Sequence, residues 1–126
     1  MIIIGHPWVE SSRFRKVFSL EDIQKSSANE VVLLEPLSDS HALASHCQKN
    51  NIPFAVVVNT LDEALFSNAL GAKYIVTQED DAKTIQPVAQ EYLFDTRVLV
   101  LIQNEKEIEK IARAGVDGVL FIEAIC

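Results

Sequence analysis

Six short runs of the chain, Ile2–Ile4, Val31–Leu34, Phe54–Val58, Tyr74–Thr77, Val98–Ile102 and Val119–Ile122, are apolar almost from end to end. A strand with one wet face alternates apolar and polar side chains, because successive residues point to opposite sides of the sheet. These runs do not alternate. As strands they need cover on both faces, which is the condition of a parallel sheet with its crossover helices packed against it.

Helical spacing fills the gaps between the runs: Leu20 to Lys25, Ser40 to Asn50, Leu61 to Leu70, Asp81 to Tyr92 and Glu105 to Ala114. Ser19-x-x-Asp22, Thr60-x-x-Glu63 and Asn104-x-x-Glu107 each set a short oxygen-bearing side chain three residues before an acid, the pattern that satisfies free amide donors where a helix begins. Gly71 and Gly115 suit the left-handed conformation that ends a helix. Pro87 lacks an amide donor and predicts a kink, or a regular helix that begins only near Thr84 to Gln86. An offset of 44 residues superposes Ala55–Asn59 on Leu99–Gln103, Glu63 on Glu107 and Gly71 on Gly115, so two βα units repeat; the same offset links Glu35, Glu79 and Glu123.

Strands alternating with helices over 126 residues predict one α/β domain, 1–126, with right-handed crossovers. The expected architecture is a three-layer open sheet of five or six mostly parallel strands with helices on both faces, of the Rossmann or flavodoxin kind. A half (β/α) barrel is the alternative. Ala112–Val119, and more loosely Leu70–Val76, resemble the helix-to-strand turns of (β/α)-barrel enzymes acting on phosphorylated sugars. That resemblance implies a shared way of folding and no shared activity, because such turns lie opposite the catalytic loops. The expected core includes Ile3, Val32, Leu34, Val56, Val58, Ile75, Val100, Leu101 and Leu120. Pro7 to Phe18 fits no helix, and Phe14-Arg15-Lys16-Val17-Phe18 alternates as an exposed edge strand would.

The balance of 18 acidic against 11 basic side chains, a net charge of -7, repels phosphate backbones and anionic lipid, so neither nucleic acid nor a membrane surface is an expected partner. No apolar run approaches the ~18 residues of a membrane span, and the first residues lack the basic flank of a signal peptide. Cys47 and Cys126 form no disulfide framework or zinc spacing and read as reduced thiols. A cytoplasmic protein is the simplest expectation.

In an open parallel sheet ligands bind beyond the carboxyl ends of the strands. The polar residues ending the runs are His6, Glu35, Asn59, Gln78 with Glu79, Gln103 and Glu123, and these are the candidate ligand-binding residues. Ser11, Ser12 and Arg13 offer two hydroxyls and a guanidinium to a small anion. No GxGxxG, GxxxxGK[ST] or GxSxG occurs, so dinucleotide, triphosphate and serine-hydrolase signatures are absent and no cofactor is expected. The chain has the length of a response-regulator receiver, but His6, Asn59 and Gln103 stand where that family needs acids and a lysine; only Thr77 matches, so the resemblance implies at most a contact domain. His46 and Cys47, adjacent on a helix, diverge by ~100° and make no nucleophile and base pair.

With no catalytic constellation, the sequence favours a non-enzymatic module that binds a small ligand or a partner protein. The alternative is a small enzyme with a polar or metal site built from His6, Glu35 and Glu123. A homodimer is also predicted: Trp8, Val9 and Phe14 have no helix to bury them, and Ile122, Ala124, Ile125 and Cys126 follow the last run with nothing to cover it.

Overall fold

The computed structural model describes every residue from Met1 to Cys126. It contains seven strands, β1 (Ile2–Ile4), β2 (Arg13–Lys16), β3 (Glu30–Leu34), β4 (Phe54–Val57), β5 (Tyr74–Thr77), β6 (Arg97–Ile102) and β7 (Gly118–Phe121). Five helices connect them: α1 (Leu20–Lys25), α2 (Leu37–Lys49), α3 (Leu61–Ala69), α4 (Glu79–Glu91) and α5 (Ile108–Arg113), with 3-10 turns at Glu105–Glu107 and Ile122–Ala124. All pairings are parallel, and the order across the sheet is β1-β7-β6-β5-β4-β3-β2.

From β2 to β7 each strand lies beside its predecessor in the chain, so the winding never reverses. Right-handed crossovers then carry every helix to the same face. The packing separates accordingly. Val32, Leu34, Val56, Ile75, Val98 and Val100 join Ile23, Ala44, Cys47, Ala64, Ile85 and Ile111 of the helices in one buried cluster. The alternate strand residues, Val31, Leu33, Ala55, Val76, Leu99 and Leu120, form a second cluster with Ile4, Phe14 and Ala124, and no side chain of α1 to α5 enters it.

That second face is covered by the sheet itself, which curls. Phe14 on β2 and Tyr74 on β5 stack with ring centroids 5.6 Å apart, although three strand spacings of a flat sheet would separate them by ~14 Å. Of the two expected arrangements the curled half-barrel is the one observed, and the helices expected on both faces lie on one because the strand order has no switch point. Among the expected core residues, Val32, Leu34, Val56, Val58, Ile75, Val100 and Leu120 are buried, while Ile3 on an outer strand and Leu101 are only partly so.

The stretch Phe14–Phe18 holds β2, an edge strand of the sheet as its alternation suggests, but that edge is not open to water. Phe14 and Val17 are buried, and the free side of β2 is taken by the end of the chain: Cys126 N–H donates to the Phe14 carbonyl at 2.8 Å and Lys16 N–H to the Cys126 carbonyl at 3.0 Å. Ala124 and Ile125 likewise pack into the inner cluster, so the uncovered last strand expected from the sequence does not exist. The inner face of a curled sheet needs apolar cover, and this segment supplies it. Gly5, at φ +95°, allows the approach, since a Cβ there would lie 2.9 Å from that of Ala124.

The helix starts follow their caps. Thr60 Oγ1 accepts from Glu63 N–H while Glu63 accepts from Thr60 N–H, and Asn104 with Glu107 repeats the device 44 residues on. Pro87 causes no interruption: α4 runs through it, held by Ala82, Ile85 and Ala89 buried against the sheet. No helix is long and apolar enough to cross a membrane.

Candidate functional site

The curled face opens at the carboxyl ends of β2 to β6 into a cavity of about 400 Å³. Its floor is Leu33, Val57, Val76 and Leu101, inner-face residues of four neighbouring strands, and Ile122 and Ile125 close one side. The rim carries Lys16, Glu35, Asn59, Gln78 and Cys126. Strand periodicity sets this layering. Glu35, Asn59 and Gln78 each come two residues after an inner apolar residue, Leu33, Val57 and Val76, and so emerge above it as the strand ends. Lys16 stands above Phe14 in the same way.

Lys16 Nζ lies 3.6 Å from Glu35 Oε1, both side chains being partly exposed, and neither makes another ion pair. Theirs are the only charged side chains lining the cavity. Asn59 is fixed through its main chain, whose N–H donates to Glu63 at 2.9 Å, and Gln78 is the residue from which α4 starts without a side-chain cap. Thr77 also borders the cavity, but strand alternation puts its side chain on the helix side with Ile75, where its hydroxyl is buried without a hydrogen-bond partner.

The other candidate residues are placed elsewhere. His6, Ser11, Ser12, Arg13 and Glu123 line a separate depression of about 310 Å³ around the loop after β1. His6, Ser11 and Arg13 each make a polar contact there, while the Ser12 hydroxyl and the Glu123 carboxylate make none. His6 Nε2 meets Glu105 Oε2 at 2.8 Å, its Nδ1 accepts from Trp8 N–H, and the ring packs edge-on against Trp8 and tilted against Phe121. Ser11 Oγ accepts from Gly5 N–H at 3.1 Å, and Arg13 donates to the Glu123 carbonyl at 3.3 Å. Gln103 lines neither cavity; its N–H donates to Glu107 at the start of the last helical segment. Glu35 is thus in one cavity and His6 with Glu123 in another, and no three His, Cys, Asp or Glu side chains come together as metal ligands.

The residues that sequence reasoning missed are the floor and Lys16. Leu33, Val57 and Val76 read only as members of the apolar runs, Leu101 as core, and Lys16 as edge charge; the signal available was that each lies at or near the carboxyl end of its run. The groups with shifted acidity lie away from the mouth. Burial pushes the Cys47 thiol up to about 11 and raises the Tyr74 hydroxyl. The Ser27 N–H, with help from Arg15, lowers the Glu30 carboxyl, and Glu79 beside Lys110 raises its ammonium.

No known protein family matches the chain, and no curated protein matches it in sequence.

Proposed function

We propose that this chain is a non-enzymatic module that binds a small molecule in the mouth cavity of its curled sheet. One observation carries the reading: an apolar floor from Leu33, Val57, Val76 and Leu101 beneath a rim of Lys16, Glu35, Asn59 and Gln78. This is the composition of small-ligand sites, in which apolar surface supplies affinity and a few polar groups fix orientation. Its place at the strand carboxyl ends is where parallel α/β sheets bind ligands. Amide NMR spectra recorded with a set of small amphipathic compounds test it. Shifts should centre on Val57, Val76 and Leu101, and Val76→Phe, which fills the floor, should abolish them. Shifts centred on the His6 and Arg13 loop instead would refute the assignment.

Self-association through Trp8 belongs to the same proposal. Trp8 is 89% exposed and Val9 beside it 42%, an apolar surface that a twofold partner would hide. Sedimentation decides it, with Trp8→Ser expected to dissociate the dimer; a folded protein that stays monomeric at about 10⁻⁴ M overturns it.

A further inference from the structure

We infer that the ligand of the mouth cavity is a small zwitterion with a branched aliphatic tail, the chemistry of a free aliphatic α-amino acid. The inference rests on the small-molecule reading of that cavity and adds the ligand class. Its basis is the pair of charged side chains at the rim: one cation, Lys16, and one anion, Glu35, 3.6 Å apart, with no third charged side chain lining the cavity. An exposed pair of this kind is weak, so a ligand opens it easily. A ligand carrying a single charge would recruit one partner and leave the other facing a like charge. A zwitterion satisfies both, its carboxylate accepting from the Lys16 ammonium and its own ammonium donating to the Glu35 carboxylate, each a charge-assisted hydrogen bond. The side-chain amides of Asn59 and Gln78 supply a donor and an acceptor apiece beside them.

Shape and size point to the tail. No aromatic ring lines the cavity; the walls are Leu, Val and Ile, and the volume of about 400 Å³ lies toward the small end of ligand sites. A branched aliphatic group set on Val57, Val76 and Leu101 leaves the charged end at the level of Lys16 and Glu35.

The test is a titration, followed by amide NMR, with L-leucine, with isocaproate, which lacks the ammonium, with isoamylamine, which lacks the carboxylate, and with glycine, which lacks the tail. Leucine should bind about tenfold tighter than any of the other three, the worth of one charged hydrogen bond or of the buried tail. Glu35→Gln should weaken leucine and leave isocaproate equal or tighter, since it removes the like charge; Lys16→Gln should weaken leucine and isocaproate alike. Isocaproate or isoamylamine binding as tightly as leucine, with shifts still at Val57 and Val76, overturns the zwitterion while the small-molecule cavity stands. No shift at those residues with any of the four overturns the zwitterion, and the cavity reading falls with it only if the wider set of amphipathic compounds also leaves them unmoved.

Discussion

Replacing Thr77 by valine should stabilise this protein. Thr77 is 2% exposed, and its hydroxyl is the buried side-chain polar atom that finds no partner. In the unfolded chain that hydroxyl is hydrogen-bonded to water; folding removes the water and returns nothing, a penalty of about 1–3 kcal/mol. Valine keeps the branched shape and the strand preference and puts a methyl group against Ile75 and its neighbours in the helix-side cluster. A gain of about 1–2 kcal/mol is expected after allowing for the slightly larger group. Unfolding entropy near 2.1 cal/mol/K per residue, over 126 residues, amounts to about 0.26 kcal/mol/K, so Tm should rise by about 4–8 °C. Calorimetry reads the shift, and urea unfolding with a raised midpoint and an unchanged m-value shows that stability changed while the compactness of the two states did not. Thr77→Ser, which keeps the hydroxyl and loses a methyl, should lower Tm. A Thr77→Val protein that melts below the parent would mean that the hydroxyl is bonded in the folded protein, contrary to the burial penalty assigned to it.

Gly118→Ala should cost about 2–3 kcal/mol by urea unfolding, because a Cβ there would sit 2.5 Å from the Ile2 carbonyl oxygen and 2.6 Å from its Cβ; hydrogen exchange should quicken at β1 first. The Cys47 thiol, pushed up to about 11 by burial, keeps its proton in the folded state where an unfolded thiol loses it at ~8.5. Its contribution to stability is therefore full below pH ~8.5 and is lost as pH rises towards 11, and Cys47→Ala should flatten that alkaline decline in denaturation curves. At neutral pH iodoacetamide should label exposed Cys126 in the native protein and reach buried Cys47 only after denaturation. Glu30 has its carboxyl lowered by the Ser27 N–H and by Arg15, so its contribution is present above the ordinary glutamate value of ~4.3 and is lost as pH falls. Glu30→Gln should make the acid limb of the stability curve shallower.

Much of this architecture is written locally. The unbroken apolar runs at Val31–Leu34 and Val98–Ile102 require cover on both sides, and parallel strands follow from that requirement. The pairs Thr60 with Glu63 and Asn104 with Glu107 mark helix starts because a cap acts over three residues and leaves its trace there. Glu35, Asn59 and Gln78 were identifiable as candidates because any polar residue ending an apolar run stands at the carboxyl edge of the sheet.

What the sequence could not determine is which kind of cover each face receives. A valine buried under a helix, such as Val56, and one buried inside the curl, such as Val76, meet the same hydrophobic requirement and look alike in sequence. Strand order, the one-sided helix layer and the curl were therefore decided by tertiary packing. Phe14-Arg15-Lys16 shows the limit most sharply. Its local alternation reads as a wet edge, but Cys126, 112 residues away, pairs with it and helps seal Phe14 from water. The same closure sets Lys16 beside Glu35 and separates Glu35 from His6 and Glu123, so the membership of the site depends on strand register and curvature, which are properties of the assembled sheet.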